Sequence, residues 1–284
     1  MTVRLVHISD IHFGSENRPA VEAAIQQAIA FAPQLVIVSG DLTLDGRAHE
    51  FAPARDWLAR FPHPVLATPG NHDTSLWNVA ARAFAPFARY RRFIGMPGTS
   101  SFDTADLCVR ALNTARGMQL RFNWSLGAVN LTRLEAVACE LSARPEALKV
   151  FVCHHPLVEM DGAVTHGGVR SGEAAARRLA SGGVDLILTG HLHTPFARPL
   201  LFGDGRTYAA GAGTLSLRTR DGAPTGFSTI EADRETIKIT ALGWTGSYFD
   251  AYRTWALPRR AAFFQSTDKT HADQSDRSET SIGA

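Results

Sequence analysis

Leu35-Val36-Ile37-Val38-Ser39-Gly40-Asp41 is the stretch that decides the fold. Four consecutive branched apolar residues leave no polar side for solvent, so the segment suits a strand covered on both faces, as in layered α/β proteins. Gly40 lets the backbone turn sharply at the downstream end, and Asp41 follows it. The same grammar recurs at Leu186-Ile187-Leu188, which runs on to Gly190-His191-Leu192-His193.

On either side of it, through the first two thirds of the chain, short apolar runs alternate with Ala-rich helical stretches. The pattern predicts strands over 3–8, 35–39, 65–68, 107–112, 149–153 and 184–189. Helices are expected over 19–31 (with Pro19 near its first turn), 48–60, 78–93, 131–141 and 172–180. Beyond Gly190 hairpin-like segments at 207–210, 226–230 and 236–242 are separated by Gly, Asp and Pro turns. That predicts one sheet layered with helices and a second, more antiparallel sheet. Residues 1–264 read as one domain and 265–284 as a polar, disordered tail. There is no internal repeat.

The bulk properties are those of a soluble globular protein. The chain has 284 residues, 45% hydrophobic and 20% charged, enough for a large single core. A net charge of +2 gives no basic surface for nucleic acid, and the short cluster Arg89, Arg91, Arg92 reads as a solvated helix face. Cys108, Cys139 and Cys153 lack the number and spacing of a disulfide framework or a cysteine-rich zinc site, and Cys153 reads as a buried small hydrophobe. No run approaches the roughly 18 apolar residues of a membrane span, and the opening residues do not read as a signal peptide. The expectation is a cytoplasmic protein with no membrane insertion, in which the sequons at Asn123 and Asn130 carry no weight. A homodimer is left open.

Five polar segments stand at the downstream ends of apolar runs: Asp10-Ile11-His12, Gly40-Asp41, Gly70-Asn71-His72-Asp73, His154-His155-Pro156 and Gly190-His191-Leu192-His193. Ligands gather beyond the carboxyl ends of strands in α/β folds, so these loops could meet at one rim. Asp10/His12 and His191/His193 are i, i+2 pairs, whose side chains project to one side if the backbone is extended. Carboxylate, imidazole and amide oxygen form a mixed donor set suited to Mn, Fe, Zn or Co. Seven candidates (Asp10, His12, Asp41, Asn71, His154, His191, His193) are too many for one tetrahedral ion but suit two with open positions. With two carboxylates, two divalent ions leave the site at about +2, which attracts a phosphate.

These motifs, D-x-H, G-D, G-N-H-D, H-H-P and G-H-x-H, occur in the order of the calcineurin-like metallophosphoesterase superfamily, which the chain resembles over about residues 8–193. The resemblance implies a four-layer α/β/β/α sandwich with mixed sheets and two metal ions. Carried over, Asp10, His12 and His193 bind the first ion, Asn71, His154 and His191 the second, and Asp41 bridges. His72 is implied as the catalytic group beside the phosphate, a stabiliser or a proton donor to the leaving group. His154 is implied as the ligand of the doubled histidine, leaving His155 outside the metal shell or structural. The mechanism expected is in-line attack on phosphorus by a hydroxide bridging the ions.

The opening VHISDIHFG and the short motif spacings resemble the bacterial class III cyclic-nucleotide phosphodiesterase and glycerophosphodiesterase branch. A small phosphodiester substrate is therefore expected. A phosphomonoesterase or protein phosphatase is the alternative, with a nuclease or a non-enzymatic scaffold further behind. His7, His49, His63 and His271 read as ordinary core or surface histidines. Asp73 either orients His72 or stabilises its loop, and His166 reads as an exposed loop residue that could reach substrate. Phe84, Phe87 and Tyr90 recur at near-helical spacing, which predicts core packing; a second reading makes that segment a wall of the substrate pocket.

Overall fold

Along β1 (Val3–Ile8), Val3 and Leu5 point into one apolar layer and Val6 and Ile8 into another, and β2 (Leu35–Val38) divides its residues in the same way. Both strands therefore lie in a sheet buried on both faces. The computed structural model describes residues 2–120, 123–159 and 169–260. The tail expected from 265, with His271, and the His166 loop fall outside the described residues.

β1, β2 and β3 (Val65–Ala67) run parallel. At the β1 edge β10 (Gly226–Ala232) pairs antiparallel to β1, β11 (Thr236–Trp244) antiparallel to β10 and β12 (Phe249–Pro258) antiparallel to β11, giving the order β12-β11-β10-β1-β2-β3. The second sheet holds β4 (Thr99–Asp103), β5 (Leu107–Leu112), β6 (Leu148–Val152), β7 (Leu186–Thr189), β8 (Phe196–Pro199) and β9 (Tyr208–Gly211). Its order is β4-β5-β6-β7-β9-β8, with β5, β6, β7 and β9 parallel.

The two sheets pack through Leu5, Ile37, Val109, Val150, Leu188 and Ile239. On the outer face of the first sheet lie α1 (Arg18–Phe31) and α2 (Ala48–Leu58); on that of the second, α5 (Leu131–Ser142) and α6 (Gly172–Ser181). The result is an α/β/β/α sandwich with two mixed sheets, as expected.

Two local expectations need correction. The strands after Gly190 do not form a sheet of their own. β8 and β9 extend the second sheet, whereas β10 pairs with the free edge of β1 and carries β11 and β12 with it. The helix expected over 78–93 is two short ones, α3 (Val79–Phe84) and α4 (Ala88–Phe93). Pro86 lies between them; it lacks an amide hydrogen and disfavours a helical residue before it. The aromatic stripe is split as a result. Tyr90 is buried, while Phe84 is 91% exposed and does not pack into the core.

Candidate metal centre

The parallel strands β1, β2, β3, β6 and β7 all deliver their carboxyl ends to one rim. There the loop after β1 runs beside the loop after β2, with the amides of Asp10, His12 and Phe13 donating to the carbonyls of Gly40, Asp41 and Leu42 at 3.0, 3.0 and 2.8 Å. Asp10, His12, Asp41, His191 and His193 all take positive φ, between 50° and 71°. The i, i+2 pairs are thus not extended, as the sequence reading supposed. Left-handed residues bend the loops inward instead, a conformation that costs a non-glycine residue about 1 kcal/mol or more.

The side chains converge nonetheless. His193 Nε2 lies 3.2 Å from both Asp10 Oδ1 and His12 Nε2, and His12 Nε2 is 3.9 Å from Asp41 Oδ2. His154 Nε2 lies 3.3 Å from Asp41 Oδ2. Ligand atoms mutually within 4.8 Å form the sets Asp10/His12/His193, Asp10/Asp41/His154, His12/Asp41/His72 and His154/His155/His191. Asn71 is buried with its Oδ1 unpartnered, and the next amide, that of His72, donates to Asp41 Oδ1 at 2.8 Å. Packing is close enough that a Cβ on Gly70 would lie 2.1 Å from Asp41 Oδ1.

Backbone carbonyls set the histidine tautomers. His12, His154, His193 and His72 place Nδ1 at 3.2, 2.8, 2.5 and 2.6 Å from the carbonyls of Thr43, Ser39, Arg218 and Leu44. A carbonyl only accepts, so each Nδ1 carries a proton and a neutral ring leaves its Nε2 lone pair bare toward the centre. This is how metal-binding imidazoles are oriented. Burial pushes His12 down to about 3, so it is neutral near pH 7. Two bare nitrogens 3.2 Å apart repel, and a cation shared between them turns that repulsion into attraction.

The carboxylates point the same way. Asp10 and Asp41 are fully buried, and Asp41 is held well below the usual carboxylate range: burial opposes its charge, and His154 and His72 more than compensate. His154 is pushed up to about 9, because burial is outweighed by Asp41 and Asp10. The negative potential that favours a proton on His154 favours a metal ion as well. Asp10 Oδ1, Asn71 Oδ1 and His154 Nε2 are buried polar atoms with no hydrogen-bond partner. Such atoms are costly to bury unless something binds them. The donor set and its unmet bonding fit metal ions.

His155 is different. Its Nε2 donates to the Ser125 carbonyl at 2.8 Å and its Nδ1 faces the Thr114 hydroxyl at 2.9 Å, which leaves no nitrogen for a metal. Asp73 accepts from the amides of Gly70, Leu42 and Thr43 and from the Thr43 hydroxyl, and no hydrogen bond joins it to the His72 ring. Of its two sequence readings, the structure favours loop stabilisation. His7 bonds Ser39 Oγ in the core at 2.9 Å, Cys153 is fully buried, and His49 is exposed.

Sequence reasoning missed the loop after β9. Arg218 there orients His193, and Thr214 Oγ1 donates to the Asp10 carbonyl at 2.6 Å. The available signal was Ala209-Ala210-Gly211-Ala212-Gly213-Thr214, another apolar run ending in small residues. It carries no ligand-type side chain and so drew no attention.

Among the described residues, no helix is long and apolar enough to cross a membrane. A family model described as calcineurin-like phosphoesterase matches residues 3–195. The chain is 38% identical over 80 residues to the glycerophosphodiester phosphodiesterase GpdQ of Enterobacter lignolyticus, covering 24% of this chain and 29% of that protein. It is 30% identical over 82 residues to a probable cyclic nucleotide phosphodiesterase of Synechococcus sp., covering 26% and 32%. These matches thus span about a third or less of each curated relative. A purple acid phosphatase from yellow lupin seeds shares the fold at a TM-score of 0.70 and 14% identity, covering 91% of this chain and 54% of that one. The match of the family model over most of the chain, on a sandwich whose rim gathers the carboxylates and imidazoles of all five motifs, places this protein in the calcineurin-like phosphoesterase family.

Proposed function

We propose that this chain hydrolyses small phosphodiesters, of the 3′,5′-cyclic nucleotide or glycerophosphodiester type. Membership of the family supports a metal-dependent phosphoester hydrolase, and the family's dependence on two metal ions supports a dinuclear centre. The diester preference goes further and rests on the two curated relatives, both named as phosphodiesterases.

In our reading Asp10, His12 and His193 would hold one ion, Asn71, His154 and His191 would hold the other, and Asp41 would be shared by both. The observation that carries this is the buried convergence of bare Nε2 atoms and unpartnered oxygens on one rim. A pair of ions, when bound, supplies Lewis acidity toward the phosphoryl oxygens and a water acidic enough to attack near neutral pH.

The chain does the rest. Asp10 and Asp41 hold negative charge where the ions belong, and the carbonyls of Thr43, Ser39 and Arg218 keep the imidazoles in register. His72 is fixed through Nδ1 on the Leu44 carbonyl, so its Nε2 is the atom offered to substrate. That nitrogen donates a proton to the departing alkoxide only when the ring carries both protons.

A substrate panel tests the proposal: bis(4-nitrophenyl) phosphate, 4-nitrophenyl phosphate, cyclic AMP and a glycerophosphodiester, each with added Mn or Fe. At least one diester should be turned over faster than the monoester. Faster turnover of the monoester than of every diester contradicts the diester reading and leaves the phosphoesterase assignment standing.

A further inference from the structure

Of the three clustered arginines in α4, Arg91 and Arg92 are exposed, as a solvated helix face requires, but Arg89 is not. Its Nη1 donates to the Gly46 carbonyl at 3.0 Å and to Ser75 Oγ at 2.9 Å. Gly46 lies two residues beyond Leu44, whose carbonyl orients His72, and Ser75 lies three residues beyond His72 itself. One guanidinium therefore ties together the two loops that meet at the His72–Leu44 hydrogen bond.

Those loops are already in close contact. A Cβ on Gly46 would fall 2.2 Å from the Thr74 carbonyl oxygen, and the Leu76 amide donates to the Asp45 carbonyl at 3.3 Å. Asp73 fastens the metal-facing side through Gly70, Leu42 and Thr43. Arg89 fastens the far side, and it does so from α4, an element that supplies none of the proposed metal ligands.

The geometry points to Arg89 as a positioning residue for His72: it holds the Leu44 carbonyl and the His72 loop in register, so that Nε2 stays aimed at the leaving group. This rests on the proposed role of His72 as proton donor. A misaimed donor penalises esters whose leaving group needs the proton and spares those whose leaving group departs as a stable anion. A purely structural role would slow both alike.

The test compares wild type, Arg89→Ala, His72→Ala and the double variant on two diesters, methyl 4-nitrophenyl phosphate (aryl leaving group) and a glycerophosphodiester (alkyl leaving group). For Arg89→Ala, kcat on the alkyl ester should fall about 10- to 100-fold, the range expected for a misplaced catalytic group. On the aryl ester it should fall less than about threefold, because little proton transfer is needed there. The double variant should be no slower on the alkyl ester than His72→Ala alone. Ser75→Ala, which removes one anchor and leaves the Gly46 contact, should show the same selectivity with a smaller loss; it serves if Arg89→Ala folds poorly, as judged by its melt. Equal losses on both esters in Arg89→Ala and Ser75→Ala, or additive losses in the double variant, overturn the positioning role while His72→Ala remains selective. A His72→Ala variant that loses both esters equally overturns the proton-donor reading, and Arg89's role falls with it.

Discussion

Between the sheets, Leu5, Ile37, Val150 and Leu188 interdigitate from regular strands, fully buried. At the rim above them, buried carboxylates face bare imidazole nitrogens, and five of the eight described non-glycine residues with positive φ are candidate ligands. The interior is stable because of what it contains. The rim is held by the strands below it and by bonds between its loops, such as those of Asp73, against strain and unmet bonding of the kind that concentrates at functional sites. Since the candidate ligands come from both sheets, the packing of sheet on sheet sets the distances between them.

This contrast can be broken from the rim side with one methyl group. Gly70→Ala would press its Cβ onto Asp41 Oδ1, and turnover should fall by about 100-fold or more, as expected when a catalytic constellation shifts by about 1 Å. The melting temperature should fall as well, because the same Cβ would lie 2.5 Å from the Asp41 backbone nitrogen and the loop must shift to admit it. Gly98→Ala, where a Cβ meets nothing within 4 Å, is the control and should keep full activity. A Gly70→Ala enzyme as fast as wild type would mean that Asp41 is not where turnover is decided.

From the interior side the effect has the opposite character. Ile37→Ala empties a fully buried position between the sheets and should cost about 2–5 kcal/mol in urea unfolding. The folded fraction should retain most of its kcat. Loss of activity out of proportion to unfolding would show that the rim is more sensitive to sheet packing than its loop contacts suggest.

The smallest effect comes from His7, which lies at the junction of the two regions and bonds Ser39. Burial pushes it down to about 3 from its ordinary 6.5, with Asp10 opposing weakly. The unfolded chain therefore takes up a proton that the folded chain refuses. The resulting stability is fully present above about pH 6.5 and is lost as pH falls through the window toward 3. One proton limits the slope to about 1.4 kcal/mol per pH unit. Denaturant unfolding between pH 6 and 4, at fixed metal concentration, should show a shallower slope for His7→Gln. An unchanged slope would remove His7 from the acid response.

Much of the centre was legible in the sequence because its residues are chemically out of place. Carboxylates and imidazoles at the ends of apolar runs such as Leu35–Val38 announce themselves. What orients them does not, since the carbonyls of Ser39, Thr43 and Arg218 could belong to any residue type. Left-handed backbone at five candidate ligands was equally hidden, and an extended-pair argument reached the right neighbourhood by the wrong geometry. In the fold, the strands that escaped notice, β4, β8 and β12, are all sheet edges. Thr99–Asp103 reads TSSFD and Phe196–Pro199 reads FARP, because an edge carries little apolar signal and tolerates proline. The aromatic spacing of Phe84, Phe87 and Tyr90 pointed rightly to the core for Phe87 and Tyr90 and failed at Phe84, because Pro86 interrupts the helix that would have aligned all three.

The most direct test of the account is metal content measured together with turnover. Wild-type protein dialysed against Mn or Fe and analysed by plasma mass spectrometry should retain about two ions per chain, the number the donor set suits. Chelation should abolish phosphodiester hydrolysis, and re-addition of metal should restore it. Asp41→Ala should bind fewer ions and lose nearly all turnover with its circular dichroism unchanged. Undiminished hydrolysis by metal-free protein, or by Asp41→Ala, would contradict the account.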